Sequence, residues 1–91
     1  MTLGPHTVVG RAEVLWRTVL DGVLVRVRGS DDTVLLAGTG VALWRVLDEP
    51  TPVRQVVERL AAEHGASSER VAADLDPVLD DLIARGVLRA D

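Results

Sequence analysis

Two stretches near the start of the chain alternate between apolar and polar positions. Val14-Leu15-Trp16-Arg17-Thr18-Val19-Leu20 and Val23-Leu24-Val25-Arg26-Val27-Arg28 are rich in β-branched residues and keep a period of two, the pattern of half-buried strands. Asp21-Gly22 separates them, and Asp-Gly suits a type I′ turn, which needs positive φ at both central positions. A hairpin closed there pairs Leu20 with Val23, Thr18 with Val25 and Trp16 with Val27. Val14, Trp16, Thr18, Leu20, Val23, Val25 and Val27 then form a core face. Leu15, Arg17, Val19, Leu24, Arg26 and Arg28 form a mixed outer face, on which Arg17 opposes Arg26 at some cost. Gly29-Ser30-Asp31-Asp32 reads as a second turn and Thr33-Val34-Leu35-Leu36 as a short third strand. The result is a three-stranded antiparallel meander, one face of which needs cover.

The period then changes to that of helices. Thr39 can cap a helix over residues 40–48 that buries Leu43, Trp44 and Leu47 and stops before Pro50. Thr51 reads as the next N-cap, with Pro52 at the first helical position, where a missing N–H costs nothing. Val53, Val56, Val57, Leu60, Ala61 and His64 follow at i, i+3, i+4, i+7, i+8 and i+11, an amphipathic stripe ended by Gly65. Ser67 or Ser68 caps a third helix whose stripe is Val71, Leu75, Val78, Leu79 and Leu82. Gly86 ends it, and Val87-Leu88 returns to the core. Pro77 falls inside this helix and is expected to kink or break it near Asp76. The fold class expected is α+β: a three-stranded antiparallel sheet followed by three helices, winged helix-turn-helix-like. Residues 1–12, with Gly4, Pro5 and Gly10, read as a loose N-terminal arm and residues 13–91 as the domain.

Composition narrows the function classes. Ninety-one residues suit one domain, and 47% apolar content argues against disorder. The chain has no cysteine, which removes disulfides, thiolate metal sites and thiol nucleophiles. No apolar run reaches membrane-spanning length, and residues 1–11 lack the pattern of a secretory signal, so a cytoplasmic protein is expected. The net charge of −4 is unevenly spread. Residues 1–48 balance five arginines against five acids, whereas the third helix carries Asp74, Asp76, Asp80 and Asp81.

No catalytic template survives inspection. His6 and His64 are the only histidines; His64 ends an apolar stripe beside a helix C-terminus, where an imidazole is favoured by the helix dipole. No cluster has metal-ligand spacing, and Gly38-Thr39-Gly40 lacks the lysine of a phosphate-binding loop. The four aspartates read as a solvated helix face. They also oppose a DNA-binding role for a winged helix, because a recognition helix needs Arg or Lys against phosphates. No enzyme activity, cofactor, metal or nucleic acid is expected, with a DNA-binding regulator kept as the alternative class.

The third strand is more informative. As the edge of a meander, Thr33 to Ala37 exposes unpaired N–H and C=O groups, and it contains neither the proline nor the lysine that usually defends an edge. A peptide could add there as a further strand. The N-terminal arm could equally cover the edge, or a second copy of the chain could form a homodimer through it.

Several motifs, in their order and spacing, carry a family resemblance. Val14-Leu15-Trp16-Arg17, Asp21-Gly22, Leu35-Leu36 and Gly38-Thr39-Gly40-Val41-Ala42-Leu43-Trp44 are followed by Leu47-Asp48, Thr51-Pro52-Val53-Arg54-Gln55-Val56-Val57-Glu58-Arg59-Leu60 and Leu82-Ile83-Ala84-Arg85-Gly86-Val87-Leu88. Together these resemble the PqqD family over about residues 13–89. The resemblance implies a recognition element for the leader of a ribosomally made, post-translationally modified peptide. It implies a peptide chaperone with three strands and three helices that takes the leader as a strand added to the third strand, against the third helix. A modifying enzyme, such as a radical SAM protein, a cyclase or a leader peptidase, is the implied second partner. Carried onto this chain, the groove is Thr33, Val34, Leu35, Leu36 and Ala37 on one side and Arg70, Val71, Asp74, Leu75, Val78 and Asp81 on the other. The acidic helix leads to the expectation of a leader with some basic character.

Overall fold

The computed structural model describes residues 4–91. In chain order the elements are β1 (Val8–Arg11), β2 (Val14–Val19), β3 (Gly22–Val27), β4 (Thr33–Leu36), α1 (Thr39–Val46), β5 (Thr51–Pro52), α2 (Val53–His64), α3 (Ser68–Ala84) and β6 (Leu88–Ala90). The class is α+β. Strands β2, β3 and β4 form an antiparallel meander in that order, and a second small sheet has the order β5-β1-β6.

The second sheet corrects the reading of the arm. Residues 8–11 are not loose: Val9 is fully buried, and β1 pairs antiparallel with β6 through Val9–Ala90, Gly10–Arg89 and Arg11–Leu88. On its other side β1 pairs Val8 with Pro52 and Val9 with Thr51. Thr51 is therefore a strand residue and not the α2 cap; its hydroxyl donates 2.8 Å to the Glu49 carbonyl. Pro52 takes the cap position of α2, with no side-chain hydrogen bond. Thr39 is likewise not a cap but the first residue of α1, preceded by Gly38.

The β2–β3 hairpin closes one residue earlier than expected, and its register slips by two. Val19 pairs with Gly22, Arg17 with Leu24, Trp16 with Val25 and Leu15 with Arg26, so Leu20-Asp21 is the turn. A slip of two preserves every side chain's face. It also replaces the unfavourable Arg17–Arg26 opposition with an attraction: Glu13 comes level with Arg28, and their side chains form a 3.0 Å ion pair. Gly22 belongs to the strand because β4 passes close over it. A Cβ there would run into the Leu36 carbonyl oxygen, and its φ is +153°. The face assignment has a limit too. Val23 and Val25 are buried, but Thr18 and Leu20 are exposed and Trp16 is half-exposed.

The helices cover the inner face of this sheet. Leu43, Trp44 and Leu47 from the α1 region, Val56 and Leu60 from α2, and Leu75, Leu79 and Leu82 from α3 pack with Val23, Val25 and Leu36 and with Val9, Val87 and Leu88. Ser67 caps α3, its hydroxyl accepting from the Arg70 N–H at 3.2 Å. Helix α3 runs unbroken through Pro77, whose missing N–H leaves the carbonyl of Ala73, an exposed residue, without its helical partner. Its end is a Schellman turn: the Val87 N–H donates to the Leu82 carbonyl and the Gly86 N–H to the Ile83 carbonyl, with Gly86 at φ +82°. This turn swings Val87 and Leu88 back into the core.

Candidate functional site: the β4 edge and the α3 groove

Strand β4 pairs with β3 alone, through Val23–Leu36, Leu24–Leu35, Val25–Val34 and Arg26–Thr33. In an antiparallel ladder, hydrogen-bonded and non-bonded pairs alternate. Val19–Gly22 closes a two-residue hairpin and is of the bonded kind, so β3 turns the main chain of residues 22, 24 and 26 toward β2 and that of 23 and 25 toward β4. Val34 and Leu36 are then the β4 residues engaged with β3, consistent with the Leu36 carbonyl lying against Gly22. The N–H and C=O groups of Thr33 and Leu35, and the Ala37 N–H, face the open edge. The Ala37 carbonyl is already taken by the Gly40 N–H at 3.0 Å. The N-terminal arm does not cover this edge with its strand, since β1 lies in the other sheet.

Helix α3 faces the edge. Val34, Leu35, Leu36, Ala37, Thr39 and Gly40 on one side, and Pro77, Val78, Asp81, Leu82 and Arg85 on the other, enclose a groove of about 500 Å³. A second recess of about 340 Å³ adjoins it at Thr39, lined by Gly38, Leu60, His64, Ala66, Arg70, Val71, Asp74 and Leu75. The expected residues therefore fall into three groups. Val34 to Ala37, Val78 and Asp81 line the groove, whereas Arg70, Val71 and Asp74 line the recess. Leu75 and Thr33 depart from expectation. Leu75 is 1% exposed, a core residue flooring the recess and not an outward contact. Thr33 offers main chain to the edge, but its side chain lines a depression on the outer sheet face with Leu15, Trp16, Arg17, Leu24 and Arg26.

Thr39, Gly40, Pro77, Leu82 and Arg85 are the groove residues absent from the sequence expectation. Pro77 was read only as a helix fault, and Leu82 only as core. The helical spacing was the available signal: Pro77, Asp81 and Arg85 fall at i, i+4 and i+8, and Leu82 and Arg85 are three apart. His64 is exposed at the recess and not packed into the core.

The electrostatics differ from an acidic wall. Asp81 is held by Arg85 at 3.0 Å and Asp74 by Arg70 at 4.0 Å, both i,i+4 pairs. The two aspartates that line the groove and recess thus each have an arginine beside them, while Asp76 and Asp80 add further negative charge to the helix. Apolar side chains and open main chain dominate. Helix α3 also lacks the unopposed basic face a duplex would require. Among the described residues, no cluster of His, Cys, Asp or Glu is arranged to hold a metal ion, and no helix is long and apolar enough to cross a membrane.

An open strand edge beside a largely apolar groove is the kind of geometry to which a peptide adds as a further strand. The chain belongs to the PqqD family: the family model described as coenzyme PQQ synthesis protein D matches residues 21–88, most of the chain. This is the family of recognition elements for ribosomally synthesised, post-translationally modified peptides, and its members are non-catalytic accessory proteins. Comparison with curated proteins and with solved structures returned no match.

Proposed function

We propose that this protein binds the leader of a precursor peptide as a strand added to β4 and presents the core peptide to a modifying enzyme. The observation that carries the reading is the open main chain of Thr33, Leu35 and Ala37 directly beside the groove walled by Pro77, Val78 and Leu82. Main-chain pairing would supply generic affinity, and alternate leader side chains entering the groove would supply selection. The mechanism is effective concentration: holding the leader keeps the core near the partner's active site without any bond chemistry here. A flexible leader must be ordered on binding, so a few apolar anchors have to outweigh that entropy. The partner is a radical SAM protein, cyclase or leader peptidase acting in the cytoplasm, where the precursor is made.

Calorimetric titration with the synthetic leader of the precursor encoded beside this gene tests the proposal, using Leu35→Pro as the diagnostic variant. The Leu35 N–H faces the open edge, so proline there removes a donor to the ligand while leaving the β3 ladder intact. Binding by the wild type and its loss in a folded Leu35→Pro protein is the expected result. Equal affinity in both would exclude strand addition at β4.

A further inference from the structure

Strand β2 is the other free edge of the meander, and it is the more apolar one in its exposure. Leu15 is 72% and Trp16 47% exposed, and Leu20 at the hairpin tip is fully exposed. Natural edges are normally blunted by charge, proline or a bulge; β2 carries one charge, Arg17, and no proline. The same alternation that opens Thr33 and Leu35 on β4 turns the main chain of Val14, Trp16 and Thr18 outward from β2. Among the described residues, no main-chain hydrogen bond outside the sheet engages these three.

Trp16 is also held in place before any partner arrives. Its ring meets that of Trp44 edge-to-face at 5.5 Å, and the Arg11 guanidinium lies 4.9 Å from its centroid. A half-exposed tryptophan fixed in this way loses little freedom on docking, which is the property of an interface anchor.

We infer that β2 pairs antiparallel with β2 of a second copy of this chain, about a two-fold axis at Leu15. Because only Val14, Trp16 and Thr18 turn their main chain outward, the bonded pairs must join even-numbered residues. The register with Val14 opposite Trp16 of the second copy, and Leu15 opposite its own equivalent, satisfies this and places Glu13 opposite Arg17 twice. Shifting by one step to put Trp16 on the axis instead sets Arg17 opposite Leu15 and brings the two Arg17 side chains onto one diagonal. In the Leu15-centred register each outer-face row alternates in sign: Arg28, already paired with Glu13 at 3.0 Å, then Glu13, then Arg17 of the second copy. The exposed edge of Trp16 comes to lie beside Val14 of the second copy. A six-stranded sheet results, with both β4 edges free at its ends, so this pairing does not compete with the site proposed above and does not rest on it.

Sedimentation velocity over a dilution series of the purified protein reads the outcome directly. The wild-type mass should rise with concentration from 9.8 kDa toward twice that value. Arg17→Glu and Glu13→Arg each place like charges across the axis, and each should remain monomeric alone. Mixed in equal amounts they should form a heterodimer, because every cross-axis pair is then of opposite sign. Both positions are exposed, and circular dichroism confirms that the variants fold. Leu35→Pro, on the opposite edge, should leave the wild-type dimer intact. A wild type that stays at 9.8 kDa at every concentration would overturn the inference. So would a dimer indifferent to either charge reversal, a mixture that fails to associate, or a dimer abolished by Leu35→Pro.

Discussion

The guanidinium of Arg11 stacks over the Trp44 ring, 4.4 Å from its centroid, and donates a 2.6 Å hydrogen bond to the Trp44 carbonyl. This one side chain joins β1 of the small sheet to α1, and through Trp16 to the meander. Burial lowers its pKa below the ordinary arginine value, and Asp48 partly opposes that shift. An arginine guanidinium is not deprotonated in proteins, so the group is cationic. Its Nε and the Trp44 Nε1 are buried without a hydrogen-bond partner among the described residues, so the cluster depends on stacking and on the single carbonyl contact.

Replacing Arg11 by Met should therefore lower stability by about 2–4 kcal/mol, the sum of a partly exposed cation–π contact and a charged hydrogen bond. Arg11→Lys should recover only part of this, because an ammonium lacks the planar face that stacks between two indoles. Urea unfolding followed by tryptophan emission measures both, since Trp16 and Trp44 are the only fluorophores of note.

Gly22→Ala should cost about 2–3 kcal/mol, in the range of strained backbone positions. The added methyl meets the Leu36 carbonyl oxygen, and the backbone of β4 cannot retreat without losing its ladder to β3. Because Leu36 lies in the groove, the same variant should weaken leader binding even under conditions where it stays folded. Thermal unfolding and calorimetry together separate the two effects; a neutral Gly22→Ala would mean that β4 is not held against β3 as described.

Adjacent prolines on β4 should behave in opposite ways. Val34→Pro deletes a donor engaged with β3 and should destabilise the protein by about 1–3 kcal/mol. Leu35→Pro deletes a donor facing the open edge and should leave unfolding by urea nearly unchanged while abolishing leader binding. If Leu35→Pro is the more destabilising of the two, the assignment of bonded and open residues is inverted.

Pro77→Ala restores the hydrogen bond to the Ala73 carbonyl and removes the steric conflict of the ring within α3. Stability should rise by about 1 kcal/mol or more. Pro77 also walls the groove, so affinity for the leader should fall by roughly fivefold, equivalent to one or two buried methylenes. Greater stability combined with weaker binding is the expected signature, measured by urea unfolding and calorimetry on the same preparation.

Local pattern carried much of this fold. The period of two in residues 14–28, the helical stripes of α2 and α3, the stops at Gly65 and Gly86, and the Ser67 cap were all legible, because each is decided by residues within a few positions of one another. The groove was legible in outline for a related reason: Thr33 to Leu36 forms a strand with no proline or lysine, and the helical spacing of Val71 and Val78 shows which side of α3 can face it. Charge was harder to read. Four aspartates suggested an acidic wall, yet Asp74 and Asp81 each have an arginine four positions away, a pairing present in the sequence but outweighed by the count.

The sequence by itself determined which residues alternate, which form stripes and where helices stop, and therefore the meander, the helices and the sheet faces. Tertiary structure decided the register of β2 on β3, because Gly22 is claimed by the passing Leu36 carbonyl and not by the turn. It also decided the roles of Val8–Arg11 and Thr51, since β1 finds its partners at 51–52 and 88–90, far along the chain, and so short a strand has no period of its own. Finally, it decided that Leu75 is core, that Pro77 is a groove wall, and that Trp16 stands half in solvent at a second open edge. Local spacing shows which way a side chain points along its own element; what stands opposite it depends on where the rest of the chain has gone.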